Sequence, residues 1–225
     1  MPEHQNQTCA ELDVIYGNRF DRAEVYRNSA WKTLIQCWFQ PRIPANSAVL
    51  DLGCGYGQFI NNVVCARKYA MDLNPVSKSK LNPEVEFLEQ DGAATWNLSD
   101  NSLDVVFSSN FFEHLLSKED LAKTVREVFR CLRKGGRIIV MGPNIRFVGG
   151  AYWDFFDHNI ALTELSVKEC LETAGFRSEY VLDRFLPYTM VNAPQYPVAF
   201  LRFYLSAPFA WKWFGKQFLV IAAKS

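Results

Sequence analysis

The chain has 225 residues, 49% of them hydrophobic and 21% charged, which is typical of one globular domain and excludes extensive disorder. Lys plus Arg and Asp plus Glu each total 24, so the formal net charge is +0. Balanced charge without a basic run argues against nucleic acid as the main partner. The six cysteines form no C-x-x-C pair and have no histidine at zinc-ligand spacing. This pattern predicts free thiols, a cytoplasmic location and no bound metal.

No integral membrane segment is predicted. The first twelve residues are polar and contain no apolar signal core. The longest uncharged stretch, residues 185–201, contains three prolines and several polar side chains, which makes it a poor membrane span.

Hydrophobic periodicity predicts alternating helices and strands. Helices are expected over 18–40 and 58–64. Two more are indicated by a capping box at the start and a glycine at the end: Ser117 and Asp120 with Gly135, and Ser166 and Glu169 with Gly175. Short apolar runs predict seven strands, at residues 48–52, 68–73, 85–89, 103–109, 137–141, 176–182 and 218–222. This alternation indicates an α/β fold with a mostly parallel sheet and helices on both faces. Ligands of such sheets bind at the carboxyl ends of the strands.

A glycine-rich loop follows the first strand. Gly53, Gly55 and Gly57 alternate there, and Asp51 lies two residues before the first of them. The G-x-G-x-x-G pattern of dinucleotide sites would need a third glycine where this chain has Gln58. A carboxylate beside the loop suits a cationic amino-acid group better than a phosphate. An ordinary tight turn is the competing interpretation.

Polar residues also follow the next three strands. Asp72 lies about 20 residues beyond the glycine loop, where an acidic side chain accepts hydrogen bonds from ribose hydroxyls. Asp91-Gly92 follows the third strand, and Asn110 follows the fourth. Each of these alone is also compatible with a plain turn. Their coincidence at the predicted strand ends favours one binding site.

These motifs, in this order, resemble those of class I S-adenosylmethionine-dependent methyltransferases. The resemblance covers roughly residues 45–182 and rests on VLDLGCGYGQF, YAMDLNP, LEQDGAATW, LSDNSLDVVFSSNFFEHL and REVFRCLRKGGRIIVMGPN. It implies a Rossmann-like sheet of seven strands with the last one antiparallel, and S-adenosylmethionine as cofactor. It also implies an N-terminal helical cap segment over 1–44, and a methyltransferase domain over 45–225 with a long aromatic hairpin insertion at 183–217.

The resemblance also implies a set of cofactor contacts. The three glycines would lie against the methionyl part, with Asp51 near its amino group, and Asn110 close to the sulfonium. Asp72 would bind the ribose diol, while Leu73, Asp91 and Gly92 would surround the adenine. Residues of the N-terminal segment would close over the cofactor and pair with its carboxylate: Arg19 with Tyr16 or Tyr26.

Catalytic and acceptor-binding residues are expected around two histidines. His114 follows the fourth strand, and His158 ends the aromatic stretch YWDFFDH, in which Asp157 or Asp154 would orient it as a base. A structural role for His114 in the first turn of the next helix is the competing interpretation. Aromatic side chains near an acidic pair suit an organic acceptor, and the expected contacts are Tyr152, Trp153, Phe156 and Tyr188. Packing against the hairpin is the alternative for this stretch.

The function predicted on this basis is methyl transfer by in-line displacement to a small organic acceptor: a sugar, a lipid-linked precursor or a secondary metabolite. Two alternative functions are compatible with the sequence: an NAD-dependent oxidoreductase on a similar sheet and a non-catalytic cofactor-binding partner subunit. The aromatic hairpin is interpreted as a lid that completes the core, an acceptor lid, a homodimer face or a surface for a lipid-linked acceptor.

Overall fold

The computed structural model describes residues 24–188 and 195–225, together with Glu11, Val14 and Gly17. Its seven strands are β1 (Ala48–Leu52), β2 (Arg67–Asp72), β3 (Val85–Glu89), β4 (Leu103–Ser109), β5 (Leu132–Pro143), β6 (Phe176–Leu182) and β7 (Gln217–Lys224). Its α-helices are α1 (Glu24–Leu34), α2 (Lys118–Cys131), α3 (Ile145–Val148), α4 (Glu164–Thr173), α5 (Val198–Ser206) and α6 (Pro208–Phe214). None of the helices in the described part of the chain has both the length and the apolar character needed to cross a membrane.

The strands form one sheet in the order β3-β2-β1-β4-β5-β7-β6. All neighbouring pairs are parallel except the two that involve β7, which runs antiparallel to both β5 and β6. The predicted fold class is therefore confirmed. β1 and β4 lie side by side although they are far apart in the chain, and their carboxyl ends meet at the switch point where such sheets bind ligands.

Two apolar cores cover the two faces of the sheet. Helices α2 and α4 bury Leu121, Val125, Val167 and Leu171 against one face. On the other face, α1 packs together with α5 and α6. The insertion between β6 and β7 thus completes the second core through its two helices.

Three local predictions differ from the structure. Residues 58–64 form turns, and the Asn62 side chain donates at 2.8 Å to the Gln58 carbonyl, the acceptor that its own backbone N–H would use in a helix. Helix α2 ends at Cys131, since the next residue already pairs with β4, and Gly135 instead has a positive φ within β5.

The third difference concerns the start of α4. Its N-cap is Thr163, whose hydroxyl accepts from the Ser166 backbone N–H at 3.2 Å, while Ser166 Oγ accepts from the Thr163 backbone N–H at 2.9 Å. The capping box therefore lies three residues earlier than the predicted Ser166–Glu169 pair.

Candidate functional site

One cavity of about 1530 Å³ lies at the carboxyl ends of β1 to β4. It exceeds the 300–1,000 Å³ usual for a site holding one drug-sized ligand, so it has room for two molecules side by side. We distinguish two halves by the elements that line them. The strand-end half contains Asp51, Gly53, Gly55, Asp72 and Asp91. The loop half contains His114, Phe155, Asp157, His158, Tyr188 and Gln217.

Two buried carboxyl groups form the floor of the strand-end half. Asp72 Oδ2 accepts from the Gly55 backbone N–H at 2.8 Å and Oδ1 accepts from the Asn74 N–H at 2.9 Å. Carboxylate oxygens are also the acceptors that ligand hydroxyls bind in proteins. Burial raises the pKa of Asp51 to about 8, and the nearby charge of Asp72 acts in the same direction. A hydrogen bond from the Ile60 backbone N–H lowers this pKa but does not offset the burial. Asp51 is therefore mostly protonated at neutral pH until a cation approaches.

The loop between these acids contains a cysteine without nucleophilic character. Burial and the charges of Asp72 and Asp51 raise the pKa of the Cys54 thiol well above its usual value. Because the thiolate is the reactive form, the strand-end half has no thiol nucleophile at this position.

The glycines of the loop serve different purposes. Gly53 has a φ of +71°, and a Cβ there would lie 2.4 Å from the Phe111 ring, which would also meet a Cβ on Gly92 at 2.8 Å. A Cβ on Gly57 would lie 2.4 Å from Leu81 Cδ2, and Gly57 does not line the cavity. Two of the three loop glycines thus accommodate the protein's own side chains. Gly55 lines the cavity directly.

The other predicted cofactor contacts also lie on the cavity. Leu73 is half-exposed there and offers an apolar wall. Asp91 Oδ1 accepts from the Ala93 N–H at 2.8 Å, which fixes the carboxylate at the end of β3. Asn110 has a φ of +51°, an unusual value for a residue with a side chain, and it donates its backbone N–H to the Met141 carbonyl at 2.9 Å.

Arg19 and Tyr16 lie outside the described residues. Tyr26 lines the cavity, and so does Arg27, which the sequence reasoning missed. Burial lowers the pKa of Arg27 against the charge of Glu24. The sequence signal that could have identified Arg27 is its position next to Tyr26 and one helical turn before Trp31, on the helix face that packs on the sheet.

In the loop half, His114 and Asp157 form a pair. His114 Nδ1 lies 3.2 Å from Asp157 Oδ2 and 3.1 Å from the Asp157 carbonyl oxygen. Both of these oxygens can only accept, so Nδ1 must carry a proton and Nε2 is the basic nitrogen of the neutral ring. The sequence paired Asp157 or Asp154 with His158. In the structure Asp157 contacts His114, while Asp154 is exposed and does not line the cavity.

His158 packs beside this pair. Its ring lies 4.8 Å from that of His114 and stacks on Phe155 at 5.1 Å. One ligand atom each of Glu113, His114 and His158 lies within 4.8 Å of the others. This set is chemically able to hold a divalent cation, although the sequence predicted no metal.

Three of the four predicted acceptor contacts do not line the cavity. Tyr152 is fully buried, and its hydroxyl donates to the Ile160 carbonyl, so it supports the loop from within. Trp153 and Phe156 are exposed and lie outside the cavity lining. Phe155, which follows the short helical turn Gly149–Asp154, lines the cavity instead. The fourth residue, Tyr188, lines the cavity with its ring 6.1 Å from that of Phe155.

Gln217, at the start of β7, was also missed by the sequence analysis. Its Nε2 donates to the Pro187 carbonyl at 2.9 Å, which fixes the orientation of the amide. Its Oε1 is buried and has no hydrogen-bond partner among the described residues. A buried acceptor of this kind is costly unless a ligand supplies the donor. No sequence signal identifies it, because the cavity reaches β7 only through the fold of the insertion.

Comparisons with known proteins agree with this geometry. A family model described as a methyltransferase domain matches residues 50–140. A probable S-adenosylmethionine-dependent methyltransferase of Mycolicibacterium smegmatis is 34% identical over 148 residues, which cover 63% of this chain and 56% of the relative. Another from Mycobacterium tuberculosis is 35% identical over 109 residues, 46% of this chain and 38% of the relative. The chain thus spans about half or less of the length of the curated relatives it matches.

Solved structures are similar over nearly the whole chain. One is from the complex of the Haloferax volcanii Trm112 methyltransferase activator with a methyltransferase, with a TM-score of 0.68, 19% identity and coverage of 96% of this chain and 97% of that one. Another is an S-adenosylmethionine-dependent methyltransferase of Archaeoglobus fulgidus, with a TM-score of 0.65, 18% identity and coverage of 94% and 99%. At these identities the likeness establishes the fold.

Proposed function

We propose that this chain, which belongs to the class I S-adenosylmethionine-dependent methyltransferase family, transfers a methyl group to a small organic acceptor by in-line displacement. The cofactor supplies a methyl group already activated on a positively charged sulfur. The protein's part is therefore mainly to hold two molecules in line, and positioning of this kind is worth about 7–11 kcal/mol of barrier.

The strand-end half fits this cofactor by its chemistry. Asp72 offers lone pairs for a ribose diol, Asp91 an acceptor for the adenine amino group, and Leu73 an apolar surface for the ring. Asp51 gains its charge when an ammonium group approaches, because the cation offsets the desolvation that keeps the carboxyl protonated. Asn110 lies where β4 ends, between this half and the loop half.

Tyr26 and Arg27 of the N-terminal segment also line the cavity. We propose that residues 1–44 act as a cap and that Arg27 pairs with the carboxylate of the methionyl group. The cap is tied to the glycine loop, since Lys80 approaches both Glu24, at 3.6 Å, and the Tyr56 ring, at 4.7 Å. A guanidinium that is half-buried in a cavity suits a carboxylate ligand well.

The loop half supports an acceptor that loses a proton. Asp157 holds His114 with Nε2 as the basic nitrogen, so His114 accepts the proton of a hydroxyl acceptor as its oxygen takes the methyl group. Gln217 Oε1 supplies a hydrogen-bond acceptor for a second polar group of the same molecule. The five free cysteines of the described chain fit a reducing compartment, and we expect the reaction to take place in the cytoplasm.

The observation that carries the proposal is that Asp51, Asp72 and Asp91 line the same cavity as the His114–Asp157 pair. Isothermal titration with S-adenosylhomocysteine and with NAD tests it. We expect the thioether to bind and NAD not to bind; the reverse would indicate an oxidoreductase. The Asp72→Asn variant should weaken the thioether, and Asp183→Asn, an exposed carboxyl outside the cavity, should not.

Labelled S-adenosylmethionine and a metabolite extract then identify the acceptor. We expect one or a few labelled products, whose masses and fragmentation reveal the acceptor atom. Binding of the thioether without transfer to any component of the extract would favour a non-catalytic partner subunit.

A further inference from the structure

The outer face of α5 and α6 is unusually aromatic. Five rings there are between 61% and 80% exposed, and together they form what we call the aromatic patch: Phe200, Phe203, Phe209, Trp213 and Phe214. Single exposed apolar residues are common on protein surfaces. Five large rings within fifteen residues are not, and contiguous patches of this kind mark an interaction surface.

The patch stands on a firmly attached base. On the inner side of the two helices, Leu205 and Trp211 are buried in the core beneath the sheet. The Trp211 indole donates to the Tyr204 carbonyl at 2.9 Å, and the Tyr204 hydroxyl donates to the Phe185 carbonyl at 2.6 Å. Because the polar groups of the inner side are bonded to the domain, the outward rings belong to a defined surface.

The charged side chains of the segment that carries the patch have one sign. The sequence contains no Asp or Glu from Arg184 to Gln217. Arg202, Lys212 and Lys216 are exposed beside the rings, and none of the three forms an ion pair with another described residue. Aromatic side chains that lie among basic ones match the interfacial layer of an anionic bilayer, which takes up the rings and attracts the cations.

The patch is continuous with the mouth of the cavity. Phe200, Phe203 and Phe214 line the cavity as well as the outer surface, whereas Phe209 and Trp213 lie outside the lining. A molecule anchored in a membrane would therefore meet the cavity lining at these three rings.

We propose that the aromatic patch docks the protein on the surface of an anionic lipid membrane. The rings of α5 and α6 enter the interface between headgroups and acyl chains, while Arg202, Lys212 and Lys216 contact the lipid phosphates. This docking needs neither cofactor nor catalysis, so it is tested apart from the proposed methyl transfer.

Co-sedimentation with vesicles is the test, using phosphatidylcholine alone and phosphatidylcholine mixed with phosphatidylglycerol. We expect the wild type to bind the mixed vesicles and to bind the neutral ones less. The double variant Phe209→Gln, Trp213→Gln should lose about tenfold or more in vesicle affinity, because two apolar anchors are removed. Both positions lie outside the cavity, so S-adenosylhomocysteine affinity should stay unchanged and report correct folding.

Matched controls separate this surface from general stickiness. Leu165→Gln removes an exposed apolar side chain from α4, whose helix packs on the opposite face of the sheet, and should not change vesicle binding. Lys212→Glu should weaken binding to the mixed vesicles, whereas Lys134→Glu, at the far end of β5, should not.

Three results would overturn the proposal: no binding of the wild type to either vesicle, equal binding to both, or full binding by the double variant. A wild type that is dimeric in solution and becomes monomeric in the double variant would also overturn it, because a second copy would then cover the patch.

Discussion

The two halves of the cavity are built in different ways. In the strand-end half, the polar side chains lie at or just after the carboxyl ends of neighbouring parallel strands, so the sheet decides which residues meet. In the loop half, the polar groups come from the turn after β4, from the segment after α3, from the insertion before β7 and from the first residue of β7. Their meeting depends on how these irregular segments pack on one another.

The difference matches a division of labour. The strand-end half suits a ligand that many proteins share, and rigid strand ends keep its contacts in place. The loop half can change without disturbing the sheet, so differences between acceptors are accommodated in the loop half. Variants in the first half should therefore act on cofactor affinity, and variants in the second on the acceptor and the rate.

The largest effect is expected at His114. With a hydroxyl acceptor, His114→Asn should lower kcat by about 10²- to 10⁴-fold, the usual contribution of a general base, and leave S-adenosylhomocysteine affinity unchanged. Asp157→Asn should cause a smaller loss, because the amide oxygen can still orient the ring. The measurement is the initial rate with the acceptor found in the extract. An undiminished rate would mean that the acceptor is an amine or thiolate that needs no base.

The next largest effect is expected at Asp72. Asp72→Asn should weaken S-adenosylhomocysteine binding by about 1–3 kcal/mol, since it leaves buried ribose hydroxyls poorly paired. Asp72 also bonds the Gly55 and Asn74 N–H groups, so the melting temperature must be measured in parallel. A folded variant with unchanged affinity would show that Asp72 does not bind the ribose.

The two halves also differ in how well the sequence predicted them. Asp51, Asp72 and Asp91 were placed through strand periodicity alone, because the carboxyl ends of parallel strands share one edge. Gly53 and Gly57 were found, but their steric partners, Phe111 and Leu81, are distant in sequence and became visible only in the structure.

In the loop half the same reasoning failed at Tyr152 and Phe156. An irregular segment has no fixed period, so neighbouring aromatic residues cannot be divided into inward and outward ones from their spacing. Gln217 was missed for a related reason. Its exposure to the cavity depends on α5 and α6, and the sequence pattern predicted a hairpin in their place.

A third prediction uses the pKa of Asp51, about 8 in the folded protein against an ordinary value of 3.8. Between these values the unfolded chain has released a proton that the native state retains, so this carboxyl lowers the free energy of unfolding progressively as pH rises from about 4 to 8. Asp51→Asn removes the effect. Without ligand, the variant should melt higher than the wild type by an increasing margin, at about 2–4 °C per kcal/mol.

Cofactor binding should change the protonation of the same carboxyl. An ammonium group stabilises the ionised form, so S-adenosylhomocysteine binding near pH 7 should release a proton from the wild type and less from Asp51→Asn. Calorimetry in buffers of different ionisation enthalpy measures this release. Equal proton release by both proteins would show that the ammonium group lies elsewhere.

A smaller effect is expected at Gln217. Gln217→Leu removes the buried Oε1 and should raise the KM for the acceptor by about 2- to 10-fold, the worth of a neutral hydrogen bond of 0.5–1.5 kcal/mol. The affinity for S-adenosylhomocysteine should not change, since Gln217 lies in the loop half. A shift in cofactor affinity with an unchanged KM would contradict this division of the cavity.

The smallest effect is expected from removing divalent metal. Asp157 occupies His114 Nδ1, so a cation in this half would have to take Nε2 together with Glu113 and His158. Nε2 cannot bind a metal and accept a proton at once, and in-line methyl transfer needs no Lewis acid. EDTA followed by dialysis should therefore leave the rate unchanged. A loss that Mg²⁺ or Zn²⁺ restores would make His114 a metal ligand and would contradict its role as the base.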